Sequence, residues 1–192
     1  MKKAVLISIR PKWCALIASH KKTLEIRKTR PKIETPFKCY IYETQEKTET
    51  PWWMSDDGHL VCHGHGAVIG EFICDQIEEI AVAFDGGSGP MKVIGGNEVW
   101  YGGMVQFLSR LSTEDICRYI GGIGRKGYGW HISDLKFYDK PKRIFDFVRP
   151  ACERVSDCGG GCSYWCSSLR RCMRSYIVLF PPQSWMYVEE LP

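Results

Sequence analysis

A short basic segment of the chain combines cations with a single acid at regular spacing. Residues 19–31 read SHKKTLEIRKTRP, and Lys22, Glu25 and Arg27 are the side chains in this run best suited to binding chemistry. A carboxylate accepts hydrogen bonds from the exocyclic amine of a base, whereas cations hold phosphate groups. The segment therefore favours a nucleic-acid or nucleotide site. The alternative is a solvated face in which a local ion pair only orders a turn.

The strand that carries these side chains is predicted from its alternation. Glu25 and Arg27 alternate with leucine and isoleucine, so they share the polar face of a strand. Residues 5–10 form an earlier strand with one buried face, and a short helix that begins at Pro11 ends near His20. Because polar strand positions rarely carry the core, we expect substitutions at Glu25 or Arg27 to cost little stability.

Charge is concentrated at the start of the chain. Residues 1–38 contain 11 Lys and Arg against two Glu, a balance of +9 within a total of +4, so the remaining residues sum to −5. A basic end on a slightly acidic protein indicates an anionic partner that contacts one face. Three more candidate contacts come from this region: Arg10, Lys12 and Lys28.

Aromatic side chains later in the chain are candidates for contact with a base. Trp130, His131 and Trp185 could stack on a splayed base or bind its edge, because an aromatic face holds any base. The alternative is a place in the core, which is the commoner role of a tryptophan in a strand.

Cysteines crowd into one late segment. Five of the ten lie in residues 152–172 with the spacing C-x5-C-x3-C-x3-C-x5-C. No secretory signal is recognisable, so metal or free thiols are favoured over disulfides. Four thiolates can close a tetrahedral, structural zinc site, and the proposed ligands are Cys158, Cys162, Cys166 and Cys172. A reduced loop or adventitious oxidation is the alternative.

The order of elements predicts the fold class. A strand and a helix are followed by several strands with one more helix over residues 113–120. This order favours an α+β fold, a mainly antiparallel β pseudo-barrel with helices at its rim. We expect one domain over residues 1–192, with a Trp- and His-containing insertion at 45–66 and a Cys-rich insertion at 150–174.

Several segments have simple local interpretations. Residues 67–80 and 128–139 each resemble one strand, and the glycine-rich residues 81–105 resemble a long connection. No apolar run approaches the roughly 20 residues of a membrane-spanning helix. We therefore expect a cytoplasmic monomer without membrane contact, and no protein partner can be named.

The run HKKTLEIR at residues 20–27 resembles the signature G-x-K-x-x-E-x-R of the ASCH domain, a branch of the PUA-like superfamily. Lys22, Glu25 and Arg27 match it, and His20 stands where glycine is usual. Residues 127–142 are similar to a later strand of bacterial and phage-borne members. The resemblance implies a PUA-like pseudo-barrel with a cleft beside the first helix that binds RNA or modified nucleobases.

Three functions remain open on this basis. In the first, the basic cleft binds RNA or a modified nucleotide, with Lys22 and Arg27 on phosphate or carbonyl groups and Glu25 on a base edge. In the second, the resemblance implies an amidohydrolase acting on an acylated nucleobase of the N4-acetylcytidine type, with Lys22 as activating group. Glu25 stands where those hydrolases have threonine, so their arrangement is not carried over intact. The third is a protein-interaction module.

The cysteine pattern generates a metal-content prediction. Purified, reduced protein should contain about one zinc per chain, because four thiolates complete a closed site. Replacement of Cys158 or Cys162 should release it, as measured by atomic emission on protein prepared without chelator. A chain free of both zinc and iron would contradict the prediction.

Overall fold

The fold is described from a computed structural model, which covers most of the chain. The described residues are 2–45, 52–54, 60–62, 66–84, 91–95, 102–150, 165–166, 171–172 and 177–192. Within them, no helix has both the length and the apolar character needed to cross a membrane.

The described residues form thirteen strands and three short α-helices. They are, in chain order, β1 (Lys3–Ile9), α1 (Pro11–Ala18), β2 (Leu24–Arg27), β3 (Phe37–Glu43), β4 (Trp52–Met54), β5 (Leu60–Cys62), β6 (Ala67–Cys74), β7 (Ile77–Phe84), β8 (Met91–Gly95), α2 (Gly102–Ser109), α3 (Thr113–Ile120), β9 (Lys126–His131), β10 (Ser133–Lys142), β11 (Trp165–Cys166), β12 (Arg171–Cys172) and β13 (Trp185–Glu189).

Two sheets form the framework. A five-stranded sheet has the order β10-β6-β3-β1-β13, and a four-stranded sheet has the order β2-β9-β7-β8. Pairing is antiparallel except between β1 and β3. The predicted α+β class with mainly antiparallel strands is confirmed. Each expected insertion contributes a two-stranded hairpin, β4-β5 and β11-β12, and the single-domain assignment stays a prediction.

Two segments predicted as single strands are each two strands that pass from one sheet to the other. The first changes sheet between Cys74 and Ile77, and the second between His131 and Ser133. The two corners are joined, because the backbone N–H of His131 donates to the carbonyl of Gln76 at 3.0 Å. The single-strand interpretation was wrong because side-chain alternation continues through such a corner.

Strand β1 lies in the middle of the core rather than at its edge. Val5 and Ile7 pack between the sheets with Trp130, while Ala4 and Leu6 pack on the other side. Both faces of β1 are therefore buried, and the expectation of one solvated face was wrong. The strand lies inside its sheet, paired with β3 on one side and with β13 on the other, and both of its faces are covered.

The helices differ in how well the sequence predicted them. Helix α3 matches the predicted range: the Ser112 hydroxyl accepts from the backbone N–H of Asp115, and Gly121 ends the helix with a φ of 107°. Helix α2 was missed, because residues 81–105 carry many glycines and no capping pattern. That range instead contains the end of β7, the strand β8 and the first half of α2.

The close approach of β6 and β10 generates a stability prediction. A Cβ at Gly70 would lie 2.5 Å from the carbonyl oxygen of Lys136, so Gly70→Ala must push the strands apart. We expect a loss of about 1–3 kcal/mol in the free energy of unfolding, measured by urea denaturation. The control is Gly103→Ala, because a Cβ there meets nothing within 4 Å. Equal stabilities of the two variants would contradict the prediction.

Candidate functional site

The turn between α1 and β2 positions the first site residue. His20 has a φ of 55°, so it occupies the left-handed conformation that glycine adopts most easily. The backbone N–H of Lys22 then donates to the carbonyl of Leu16 at 2.9 Å. The chain thereby folds back under the helix, and the Lys22 ammonium lies 5.4 Å from the centre of the Trp13 ring.

The Lys22 ammonium is buried and has no unused proton. It donates to the carbonyls of Leu24 at 2.8 Å and Ser109 at 2.9 Å, and its Nζ lies 3.1 Å from Oε2 of Glu25. An ammonium has three donors, so these partners use all of them. Ser109 ends α2, and a cation is favourable at a helix C-terminus. Burial lowers the pKa of Lys22, while the carboxylate of Glu25 acts in the opposite direction.

Glu25 and Arg27 form the second half of the same network. Oε1 of Glu25 lies 3.0 Å from Nη2 of Arg27, and the same nitrogen donates to the carbonyl of Ser8 in β1 at 2.7 Å. Arg27 therefore links the two sheets, since β2 and β1 belong to different ones. The predicted shared face of Glu25 and Arg27 is confirmed by their contact.

The alternative interpretation, a solvated face, does not fit the structure, because all three side chains are buried. Relative exposure is 2% for Lys22, 7% for Glu25 and 5% for Arg27. Charged side chains reach this depth because each has an oppositely charged partner, and backbone carbonyls accept from Lys22 and Arg27.

A cleft opens above this network. Its volume is about 860 Å³, and its lining comes from β1, α1, β2, α3 and the segment before β13. The lining residues are Ser8, Ile9, Arg10, Lys12, Trp13, Lys22, Glu25, Ile26, Arg27, Lys28, Thr44, Leu111, Asp115, Arg118, Tyr119, Pro182 and Gln183. Four exposed cations thus lie around a floor that contains one paired acid.

Six of the nine binding residues predicted from the sequence meet in this cleft. They are Arg10, Lys12, Lys22, Glu25, Arg27 and Lys28. Their proximity follows from the short path of the chain through β1, α1 and β2. Their roles in binding stay predictions.

The three predicted aromatic contacts lie elsewhere. Trp130 is 0% exposed and meets the edge of Phe37 at a centroid distance of 5.9 Å, so it is a core residue and its assignment to ligand stacking was wrong. His131 pairs with Leu24 and therefore faces the opposite side of the sheet from Glu25. The indole of Trp185 packs on Trp130 and donates to the hydroxyl of Thr29 at 3.1 Å.

Other aromatic side chains line the cleft instead. Trp13 comes from α1 and Tyr119 from α3, each with a lysine ammonium near its ring: Lys12 at 4.4 Å and Lys28 at 5.6 Å from the ring centres. Burial raises the pKa of Tyr119, and the neighbouring Arg27 lowers it. Both helices were predicted, but the face that each turns to the cleft depends on tertiary packing.

The zinc prediction falls mostly outside the described residues. Cys158 and Cys162 are not among them, and only the backbone of Cys166 and Cys172 is described, in β11 and β12. Among the described side chains, no group of three or more His, Cys, Asp or Glu could hold a metal ion. The metal content of the Cys-rich segment stays a prediction.

Comparison with solved structures identifies the fold. A crystal structure of ASCH from Zymomonas mobilis is similar over 97% of this chain and 88% of its own, with 16% identity and a TM-score of 0.51. A tyrosine-to-phenylalanine variant of the same protein gives 17% identity over 98% of this chain and 92% of its own, with a TM-score of 0.51. The chain has the ASCH fold.

The comparisons of the sequence, by contrast, found no match. No protein-family model matches the chain, and no curated protein matches it. The expectation of an ASCH-type architecture, drawn from residues 20–27, is nevertheless confirmed at the level of the fold. In that fold, the residues that carry the resemblance form the floor of the cleft.

The buried network generates a stability prediction. Lys22→Met should lower the free energy of unfolding by about 3–5 kcal/mol, because it leaves the Glu25 carboxylate and two carbonyls short of a donor. The control is Lys126→Met, in β9 of the same sheet, whose exposed ion pair with Glu79 should contribute almost nothing. Urea denaturation measures both variants. Equal stabilities would show that Lys22 is not a structural cation.

Proposed function

We propose that the chain binds single-stranded RNA or a modified nucleotide in this cleft. The observation that carries the proposal is the combination of exposed cations at the rim with a paired, buried carboxylate at the floor. Cations attract phosphate without regard to sequence, whereas a fixed acceptor distinguishes one base from another. The cleft volume of about 860 Å³ is within the range of small-molecule sites. It therefore suits one or two nucleotides better than a duplex.

The rim cations are the groups available for phosphate. Arg10, Lys12 and Lys28 are exposed, and Arg118 has only an exposed ion pair with Asp115 at 3.6 Å. Such a pair contributes little and yields readily to a phosphate. Lys22, in contrast, has no donor left for a ligand, so we assign phosphate contact to the rim and a positioning role to Lys22.

The amidohydrolase remains a second candidate because of one observation. Burial lowers the pKa of Lys22, which lies beside an acid at the floor of a cleft, and a perturbed group in such a position is a candidate for catalysis. Its three hydrogen bonds argue against this role, since an activating group needs a free donor or lone pair at the substrate. Incubation with N4-acetylcytidine decides the question: release of cytidine and acetate would support the hydrolase.

Salt dependence tests the binding proposal. If the four rim cations each meet a phosphate, the logarithm of the affinity for a short single-stranded RNA should fall with that of salt at a slope of about −3. The double variant Lys12→Glu and Lys28→Glu should reduce the slope by about 1–2, as measured by fluorescence anisotropy. The control is Lys136→Glu with Lys140→Glu, a pair of exposed lysines in β10 outside the cleft.

Three outcomes have distinct meanings. A slope reduced only by the cleft variant supports the proposal. An equal reduction by both variants would move binding to a diffuse basic surface. Absence of binding to RNA and nucleotides would leave the amidohydrolase, which has its own test, and the protein-interaction module.

A further inference from the structure

The carboxylate of Glu25 has one acceptor position left on each oxygen. Oε2 meets the ammonium of Lys22 at 3.1 Å, and Oε1 meets Nη2 of Arg27 at 3.0 Å. Each carboxylate oxygen can accept two hydrogen bonds, so one lone pair per oxygen remains. The two cations fix the plane of the group, and the Glu25 side chain, 10% exposed, lines the cleft. The floor of the cleft thus offers two adjacent acceptors.

Two adjacent acceptors require a ligand edge with two adjacent donors. Among the common bases, guanine alone has such an edge, formed by N1–H and the exocyclic N2 amine. Adenine and cytosine each place a ring acceptor beside their amine, and uracil places its one N–H between two carbonyl oxygens. In those bases an oxygen or nitrogen lone pair would face the carboxylate. We propose that the cleft selects guanine nucleotides through Glu25, an inference that rests on the proposed nucleotide binding.

The aromatic lining fits a purine but does not distinguish one from another. Trp13 and Tyr119 come from different helices and both line the cleft. Stacking on such rings tolerates every base, because every base has a π-face. Base selection therefore comes from the hydrogen-bonding edge of Glu25.

The guanidinium of Arg27 adds a second observation. Its Nε–H is buried and has no hydrogen-bond partner among the described residues, although the same side chain lines the cleft. Carbonyl O6 of guanine lies directly beside N1–H. A guanine whose N1–H meets Oε1 of Glu25 would place this carbonyl on the side of Arg27, the residue that is paired with that oxygen.

The test compares nucleotides that differ in one donor. Guanosine monophosphate should bind about 10- to 100-fold more tightly than inosine monophosphate, which lacks only the N2 amine, because a hydrogen bond to a charged group is lost. Adenosine monophosphate should bind at least as weakly as inosine monophosphate. Tryptophan fluorescence or calorimetry on the full chain measures the three dissociation constants.

A variant assigns the preference to one side chain. Glu25→Gln replaces one acceptor by a donor, so the preference for guanosine over inosine monophosphate should disappear. The matched control is Glu71→Gln, a carboxylate that pairs with Lys38 at 3.3 Å in the other sheet and lies outside the cleft lining. Thermal melting establishes that each variant is folded. If Glu25→Gln does not fold, the comparison of the nucleotides on the unaltered chain decides.

Each result either supports or overturns the inference. Equal affinities for guanosine and inosine monophosphate would overturn guanine selection and leave nucleotide binding in place. A folded Glu25→Gln variant that keeps the preference would also overturn it. Failure of every nucleotide and of RNA to bind would remove both the inference and the proposed function.

Discussion

Glu25 carries a buried negative charge that the cations of Lys22 and Arg27 compensate, and these cations tie helix α2 and both sheets to it. A carboxylate without partners at this depth would cost several kcal/mol, so both of its cations are needed for the fold itself. Those cations use their other donors on separate elements: Lys22 on the end of α2, and Arg27 on Ser8 in β1. A single acid thus fixes the position of one helix and the relation between the two sheets.

The same network limits what the site can do. Because Lys22 is held by three partners, it cannot also be a mobile nucleophile or a phosphate clamp without leaving Glu25 short of a cation. The network does hold the two carboxylate oxygens of Glu25 in a fixed position, so ligand binding would not carry the entropy cost of ordering that side chain. In the proposed function, recognition by the Glu25 carboxylate and attraction by the exposed cations would therefore be separated in space.

Local patterns predicted the elements whose ends carry their own signals. Helix α3 has a capping serine and a terminal glycine, and the run at residues 20–27 identified the residues of the cleft floor. The sheet corners were missed because alternation does not change where a strand leaves one sheet for another. The depth of this network was missed because Arg27 donates to Ser8 and Lys22 to Ser109, and both partners are distant in sequence.

The sequence also could not predict which tryptophan lines the cleft. Trp130 lies directly opposite Glu25 in the pairing of β2 with β9, so it shares the face of the acid and yet packs into the core. Trp13 is half-buried and lines the cleft. Both are tryptophans near the basic segment or its partner strand, and their places in the tertiary structure, rather than the local sequence, put only Trp13 in the cleft lining.

The basic N-terminal region is less available to a polyanion than its composition indicates. Lys22 and Arg27 form ion pairs with Glu25, and Lys38 lies between Glu71 and Glu190 at 3.3 Å from each. The cations that remain at the cleft are few and lie around an opening of limited volume. A long nucleic acid gains affinity from many phosphate contacts, and this surface provides only a small number within the cleft. Of the 11 cations in residues 1–38, Lys22, Arg27 and Lys38 are therefore held by acids, whereas Arg10, Lys12 and Lys28 are exposed cations that line the cleft.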